Sequence, residues 1–495
     1  MKKILIGLGV IIVVLIAFLL YNATCYQSRQ VAATMVKEAA VDEARAAARL
    51  SEAVRFKTIS HQDPARFERD QFLAFHKFLQ EAYPKAHETL TRETVSDLSL
   101  VYTWPGSEAK LPPIVFAAHM DVVPVVPGTE GDWTQPPFSG KVADGFVWGR
   151  GTLDDKVSLI GLMEAVEGLL NQGYKPRRTV ILAFGHDEEV GGVNGAVKIA
   201  GLLKSRGIKA DWLLDESGFV ISGVVPGVKA PVAVVGISEK GYMTLELTVE
   251  QPGGHSSMPP AETAIGILSA AIARLEKNQF PSRLDGAGMT LFDFIGPEMP
   301  FGMKLLFANR WFFAPLIKRE LLKVKSMAAS LRTTIAPTII QAGTKENVLP
   351  SKATATVNFR LMPGDRVEDV VRHVKAAIDD SRVKIVIPEP EKALEASKVS
   401  DLGSTGFKNL ECTIRQMYPD ALVGPYLVLG GTDARHYDAI SDCILRFLPL
   451  RQESKDLDRI HGTNERVGVK DFAGMVRFYI QIIRNADSGQ PPPCR

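Results

Sequence analysis

Three short, continuous apolar runs separated by helical stretches restrict the fold of this chain more than any other feature. The runs cover 113–118, 179–185 and 210–214, and each has the length and composition of a strand buried on both faces. The helical stretches lie between them, at 156–172 and 193–205. Strands and helices that alternate in this order predict an α/β domain with a mostly parallel sheet.

The pattern changes at about residue 238. Residues 241–250 and 353–360 alternate apolar and polar side chains, as antiparallel strands with one solvated face do. We therefore predict a smaller α+β lid domain inserted into the larger α/β domain. The predicted parts are the larger domain at 29–237 and 363–486, the lid at 238–362 and a tail at 487–495.

The N-terminus carries an unbroken apolar run from Ile4 to Leu20, preceded by Lys2 and Lys3. Its length is at the short end for a membrane span, and no small-residue cleavage pattern follows it. It predicts a transmembrane signal anchor over 4–21, with a cleaved signal peptide as the alternative. The lysines favour the cytoplasmic side, which places the rest of the chain outside the cytoplasm. Because the only glycosylation sequon, at Asn22, abuts this run, a bacterial periplasmic face is preferred over a lumenal or secreted location.

Charge and cysteine content exclude some classes of protein. The 58 Lys and Arg residues against 56 Asp and Glu residues give a net charge of +2, without the basic excess of a nucleic-acid-binding protein. The four cysteines form no CxxC pair, so neither a thiolate zinc site nor a disulfide scaffold is indicated. Which of the cysteines pair with each other stays open.

Acidic or imidazole side chains follow each of the three predicted strands. His119 ends the first strand, the run 187–189 follows the second, and Asp215 with Glu216 follows the third. Each of these residues, taken alone, has an ordinary structural explanation. The carboxyl ends of parallel strands, however, share one rim of a sheet, where these side chains would converge. Carboxylate and imidazole groups suit zinc. The sequence therefore indicates a site for divalent ions.

Two ions close together need a bridging carboxylate, and catalysis needs a second carboxylate that is not a ligand. The pair Glu188–Glu189 can serve both needs, with one residue coordinating and the other acting as a base. Asp154 and Asp155 add two carboxylates just before the 156–172 helix, although this pair would also be a good N-cap by itself.

Six motifs resemble those of the co-catalytic zinc carboxypeptidases and aminoacylases, a family that includes carboxypeptidase S, glutamate carboxypeptidase and acetylornithine deacetylase. They occur in family order and span about 50–485. The version of the third motif and the chain length most resemble the carboxypeptidase S branch, which also contains N-fatty-acyl-amino-acid hydrolases. The motifs lie at 118–124, 149–156, 185–192, 253–259, 357–360 and 430–435.

The resemblance implies a zinc-peptidase-like catalytic domain that binds two Zn²⁺ ions, for which Co²⁺ or Mn²⁺ can substitute. Asp154 is then the bridging ligand, Glu188 the general base and Asp121 the carboxylate that orients a ligand histidine. The implied metal ligands are His119, Asp154, Glu189, Asp215 and His461.

The resemblance also implies how the substrate is held. Arg360 and Asn347 would bind its free carboxylate, helped by the backbone of Gly431 and the hydroxyl of Thr432. His255 would contact the scissile carbonyl oxygen, in many relatives across a homodimer formed through the lid.

The implied reaction is hydrolysis of an amide bond next to a free carboxylate, and two substrate classes compete. Small peptides that lose their C-terminal residue come first, and N-acyl amino acids with a fatty acyl group are the alternative. Residues 277–335 resemble an insertion relative to short bacterial deacetylases, and are read as a helical pair on the lid or as an apolar wall for an acyl chain or a membrane. A binding protein without turnover is a distant third reading, because no ligand or base is missing.

Overall fold

The structure is a computed structural model that describes residues 2–223, 225–487 and 494, with the backbone alone for Pro64. The predicted tail, 487–495, lies outside the described residues except for Asp487 and Cys494.

The chain forms strands and helices in the following order. The strands are β1 (Thr91–Val95), β2 (Ser99–Trp104), β3 (Ile114–His119), β4 (Val142–Ala143), β5 (Phe146–Trp148), β6 (Val180–Gly185), β7 (Trp212–Asp215), β8 (Val220–Ser222), β9 (Val232–Glu239), β10 (Gly241–Glu250), β11 (Gly254–His255), β12 (Thr334–Ala342), β13 (Val348–Leu349), β14 (Lys352–Leu361), β15 (Val383–Val386), β16 (Leu422–Val428), β17 (Ile444–Arg446), β18 (Arg451–Glu453) and β19 (Arg466–Gly468). The helices are α1 (Lys2–Cys25), α2 (Glu43–Arg55), α3 (Arg69–Ala82), α4 (Pro84–Thr89), α5 (Lys156–Asn171), α6 (Ala196–Ser205), α7 (Ala264–Lys277), α8 (Thr290–Ile295), α9 (Phe301–Ala308), α10 (Arg310–Leu321), α11 (Lys325–Leu331), α12 (Val367–Ile378), α13 (Thr405–Met417) and α14 (Val469–Asp487).

The main sheet has ten strands in the order β1-β2-β6-β3-β7-β17-β9-β8-β18, with β16 paired to β9. Its centre, β6-β3-β7-β17, is parallel, whereas β1, β2 and the β8–β9 pair are antiparallel. The α/β class is therefore as predicted, but the sheet is mixed. The three apolar runs form β3, β6 and β7 at its centre, so their carboxyl ends do share one rim.

Helices cover both faces of this sheet. Alternate residues of β3 point in opposite directions, with Phe116 in the core that contains α5 and α14, and Val115 in the core that contains α6. A strand that is apolar at every position fits this burial on both faces. The result is a domain of three layers, with helices on both faces of the sheet, in which neither face of the central strands is exposed to solvent.

The lid is a four-stranded sheet in the order β12-β14-β10-β15, covered by α7 and α12. Its core includes Val370 and Val374 of α12 and Val383 of β15, so the small layer extends to about 386 rather than ending at 362. β14 ends at Leu361 and an amphipathic helix follows it, a pattern that occurs in both domains and therefore does not mark the boundary in the sequence.

Only the start of the insertion between α7 and β12 packs on the lid, where Phe280 stacks on His373 of α12, and the helices that follow pack elsewhere. Their apolar side chains, including Phe292, Phe307 and Ile317, belong to the core of the main domain. The helical pair expected on the small domain is thus attached to the larger one, beside β16 and β9.

The helix α1 is the one described helix that is long and apolar enough to cross a membrane, by length and composition only, and a signal sequence would meet the same criteria. Cys412 of α13 forms a disulfide with Cys494, whereas Cys25 and Cys443 carry free thiols.

Candidate active site

Side chains from five segments of the main domain converge at the rim formed by the ends of β3, β6 and β7. Asp154, which precedes α5, lies between two histidines: its Oδ1 is 3.0 Å from Nε2 of His119, and its Oδ2 is 3.0 Å from Nε2 of His461. Glu216 lies 3.4 Å from Nε2 of His119, and Glu189 lies 3.2 Å from Nε2 of His461. Each histidine therefore faces two carboxylates, and Asp154 belongs to both groups.

These two groups fit a pair of metal ions. Within each group one atom per side chain lies within 4.8 Å of the others. Each group offers one imidazole and two carboxylates, which is the donor set of a catalytic zinc site with one open position. Asp154 gives one oxygen to each group, as a bridging ligand must. In addition, Oε1 of Glu189 is buried without a hydrogen-bond partner among the described residues, an atom that a cation would satisfy.

Burial and the crowding of carboxylates around two imidazoles shift the pKa values of the site. Hydrogen bonds to Asp154 and Glu189 raise the pKa of His461 to about 10. Burial, together with the charge of Asp154, raises the pKa of Glu216 well above its usual value. A divalent ion between these carboxylates and imidazoles would favour the ionised carboxylates and the neutral imidazoles.

The ligand assignment at the end of β7 differs from the predicted one. Among the described residues, Glu216 rather than Asp215 joins His119 and Asp154. Asp215 is the last residue of the strand and is 4% exposed, and its Oδ2, like Oε1 of Glu189, is buried without a hydrogen-bond partner in the described part of the chain. Distance groups Glu216 with His119 and Asp154, and the unpartnered Oδ2 equally suits Asp215 to bind an ion.

Asp121 connects the metal groups to the acidic pair. Nδ1 of His119 donates to the backbone oxygen of Asp121 at 3.0 Å and lies 3.3 Å from its carboxylate, which leaves Nε2 free to bind a metal. The same carboxylate accepts the backbone N–H groups of Glu188 at 3.2 Å and Glu189 at 3.1 Å, and the hydroxyl of Ser60 at 2.6 Å. Burial alone would raise the pKa of Asp121, but the hydrogen bond from His119 holds it below its usual value. One ionised group thus orients a ligand histidine and the turn that carries the other carboxylates.

Glu188 begins a short turn after β6, beside its predicted metal-binding neighbour Glu189. Burial, with the nearby carboxylates of Glu216 and Asp433, raises the pKa of Glu188 well above its usual value. It belongs to neither group of potential ligands among the described residues. A carboxylate that adjoins the metal groups without joining them has the position of a general base.

Sequence reasoning missed Glu465 and Arg150, which hold the two distant parts of the site together. Oε1 of Glu465 accepts the backbone N–H groups of Gly151 and Leu153 at 3.0 and 2.7 Å. Its other oxygen accepts Nη1 of Arg150 at 2.6 Å, while Nη2 of Arg150 donates to the backbone oxygen of His461 at 3.1 Å. A buried structural carboxylate such as Glu465 has no local sequence signal.

An apolar cavity of about 440 Å³ opens beside the ligands. Asp154 and Glu216 line one part of it, and Gly431 and Thr432 also line it. Its volume is within the range of about 300–1,000 Å³ that small-molecule sites have. Most of the wall is hydrophobic and includes Phe219, Ile221, Leu291, Phe292, Met327 and Leu448.

Of the four residues predicted to bind the substrate carboxylate, Gly431 and Thr432 line the cavity, whereas Arg360 and Asn347 do not. The Arg360 guanidinium lies 4.8 Å over the ring of Tyr242. Burial and the charge of Arg435 lower the pKa of Arg360. An anion bound beside Arg360 would therefore be stabilised. The Thr432 hydroxyl donates to buried Glu239 at 2.5 Å. This hydroxyl proton is therefore not free for a substrate, and the backbone N–H of Thr432 also donates to Glu239, at 3.1 Å.

His255 and Asn347 lie together at the edge of the lid, outside the cavity lining. His255 is exposed, its Nδ1 is 2.8 Å from the hydroxyl of Ser257, and the backbone oxygen of Asn347 accepts the N–H of Ser256 at 3.1 Å. The structure does not bring either residue to the metal groups of the same chain.

Comparison with known proteins gives a consistent picture. Residues 115–485 match peptidase family M20/M25/M40. A probable carboxypeptidase S-like protein of Dictyostelium discoideum is 43% identical over 89% of this chain and 85% of its own length. An N-fatty-acyl-amino acid synthase/hydrolase of Xenopus tropicalis is 40% identical over 90% of this chain and 86% of its own length. The crystal structure of an M20 family metallo-carboxypeptidase from Sulfolobus solfataricus shares the fold, with a TM-score of 0.63 at 16% identity over 91% of this chain and all of that one.

Proposed function

The chain belongs to peptidase family M20/M25/M40 and is a hydrolase of peptides or N-acyl amino acids, and we propose that its substrates are N-acyl amino acids with a long apolar acyl group. The observation that carries this choice is the apolar cavity, whose wall includes the metal-group residues Asp154 and Glu216. An acyl chain bound there would place its carbonyl carbon beside the ligands.

The energetics of burial favour a chain over a short acyl group. Each CH₂ that moves from water into the cavity contributes about 0.8 kcal/mol, so roughly two of them change affinity about tenfold. A peptide whose acyl side is a polar amino acid would leave this surface uncovered. Carboxypeptidase activity on small peptides is the second candidate, because the relative from Dictyostelium discoideum carries a carboxypeptidase S-like name.

We further propose that the two metal groups hold two zinc ions, for which Co²⁺ or Mn²⁺ can substitute. His119 and Glu216 would hold one ion, Glu189 and His461 the other, and Asp154 both. When bound, such ions polarise a carbonyl oxygen and lower the pKa of water.

The chain's own groups account for the remaining chemistry. Glu188 accepts a proton from water and later gives it to the leaving nitrogen. Asp121 keeps both His119 and the turn that carries Glu188 in position. Arg360 and the backbone of Gly431 hold the free carboxylate of the amino acid, and Arg suits this role because its planar fork matches a carboxylate.

The test is a hydrolysis panel with the zinc-loaded full chain. N-acetyl, medium-chain and long-chain N-acyl derivatives of one amino acid are compared with dipeptides that have the same C-terminal residue. We expect kcat/KM to rise with acyl length until the cavity is full. If dipeptides are cleaved fastest and acyl length has no effect, the enzyme is a carboxypeptidase and the acyl proposal fails.

Val234 lines the cavity from β9, and replacing it with phenylalanine should shorten the acyl group that fits. Displacing roughly two CH₂ groups should lower kcat/KM for long-chain substrates about tenfold. N-acetyl substrates should be affected little, since they do not reach the filled part. Val234→Ala, which keeps the cavity open, is the matched control, and equal losses for both chain lengths would contradict the assignment.

Arg360→Ala should raise KM for substrates with a free carboxylate by about 10–100-fold, because a hydrogen-bonded charge pair is lost. The methyl ester of the same substrate should be cleaved equally well by the variant and the wild type. Arg372→Ala changes an exposed arginine of the same lid and is the control. If free acid and ester lose activity equally, Arg360 does not bind the carboxylate.

We propose that α1 is retained as a single membrane anchor with the catalytic domain outside the cytoplasm. Lys2 and Lys3 support this orientation. The Cys412–Cys494 disulfide supports it as well, since such bonds persist in oxidising compartments.

We propose a homodimer formed through the lid, in which the exposed His255 of one chain would act at the site of the other chain. The edge strand β12 leaves Ile339 and Ile340 52% and 58% exposed, as a strand awaiting a partner would. Since the insertion packs on the main domain, it leaves this edge open.

A further inference from the structure

An exposed aromatic cluster lies at the start of α10. Trp311 is 61% exposed and Phe312 is 44% exposed, with their ring centroids 5.5 Å apart. Phe301, at the start of α9, is 58% exposed. The other four tryptophans of the chain are 8% exposed or less, at 104, 133, 148 and 212. Exposed aromatic side chains grouped in this way usually mark a binding surface.

This cluster is attached to the end of α1. The Trp311 ring centroid lies 6.1 Å from that of Phe18. Asn309, which is fully buried, donates to the backbone oxygen of Leu19 at 2.9 Å and accepts the side-chain amide of Asn22 at 2.8 Å. The start of α10 is therefore fixed against the last turn of the apolar helix.

These contacts set the depth of Trp311 relative to the proposed bilayer. The apolar run of α1 ends at Leu20, and polar residues begin at Asn22. Phe18 precedes Asn22 by about one helical turn, or about 6 Å along the axis. Trp311 consequently lies near the boundary where the apolar part of α1 meets its polar end. Tryptophan is enriched at that boundary because its ring is apolar and its N–H is polar.

The contacts with α1 also identify what covers the cluster. The outward side chains of α1 from Ile4 to Phe18 are exposed and require hydrocarbon around them if the helix is an anchor. Trp311 touches that helix within its apolar run, so a protein partner on this face would have to sit in the same hydrocarbon. Lipid is the occupant that continues from one surface to the other.

We propose that Trp311, Phe312 and Phe301 form a second membrane contact, in which the α9–α10 junction lies in the boundary layer of the bilayer that α1 crosses. The inference rests on the membrane anchor proposed above. The contact is close to the acyl cavity: Phe307 of α9 stacks at 4.7 Å on Phe292, which lines that cavity. One pair of stacked rings thus links the membrane contact to the substrate wall.

The experiment uses the full chain reconstituted in phosphatidylcholine vesicles, with and without bromine on the acyl chains near the headgroup. Brominated lipid quenches tryptophans that touch it. Because Trp311 is one of five tryptophans, quenching should remove about a fifth or more of the wild-type emission. The matched variant Trp311→Phe keeps an aromatic ring against Phe18, and its emission should be the same in both lipids.

Flotation of the vesicles and hydrolysis of a water-soluble N-acetyl substrate are measured on the same samples. Protein that floats with the vesicles but shows no quenching has α1 in the bilayer and Trp311 outside it, which overturns the second contact alone. Cross-linking of Trp311-proximal residues between chains, again without quenching, would assign the surface to a second copy and overturn it too. Protein that does not float overturns both the anchor and the contact. Hydrolysis reports the enzymatic proposal separately.

Discussion

Glu188→Gln should lower kcat by about 10²–10⁴-fold, the usual contribution of a positioned general base, while both metal ions stay bound. The amide keeps the size of the side chain and leaves the backbone N–H of residue 188 on Asp121. It removes the group that accepts the proton of water. The measurements are turnover at saturating substrate and zinc content per chain.

Glu189→Gln is the matched control, because it makes the same change one residue further along in a group that contains His461 and Asp154. This variant should lose metal as well as activity. A Glu188→Gln enzyme that keeps wild-type turnover, or that loses zinc as Glu189→Gln does, would remove Glu188 from the role of base.

Glu216→Ala should remove one ion and lower activity by at least about 10²-fold, because His119 and Asp154 alone do not complete a three-ligand zinc site. Zinc content should fall from two ions to about one. Metal analysis after gel filtration and turnover in excess zinc would measure both effects.

Asp215→Asn tests the alternative ligand in the same turn of chain. The amide preserves the shape of the strand end, and we expect both ions to remain. If Asp215→Asn loses an ion and Glu216→Ala does not, the original assignment from the motif is right and the geometric one is wrong.

These two neighbours show where the sequence was sufficient and where it was not. A motif locates the end of a strand, and the apolar runs located β3, β6 and β7 and hence the rim. Successive residues at a strand end point to opposite sides, so a motif with two adjacent carboxylates does not show which of them faces the rim. Asp215 completes β7, and only three-dimensional coordinates distinguish it from Glu216.

The family and the class of reaction were also accessible from the sequence and are confirmed by the relatives. The lid boundary and the packing of the insertion could not be predicted from the sequence. The pattern of an amphipathic helix does not show which domain the helix packs against. The apolar and polar pattern of helix α12 is compatible with packing on either domain, and Phe292 could be buried in either apolar core. The contacts that decide both cases join segments far apart in the chain.

The ion pair of Arg150 and Glu465 has a consequence for biosynthesis. Four residues of the two metal groups lie between 119 and 216, but His461 and Glu465 follow the lid and come near the end of the chain. Until that last segment docks, the backbone donors of the loop before α5 lack their acceptor. We therefore expect a polypeptide that emerges N-terminus first to be inactive until this segment has been made. Catalytic competence then requires the segment that carries His461 and Glu465 to dock, and a protease that removes this segment would also end activity.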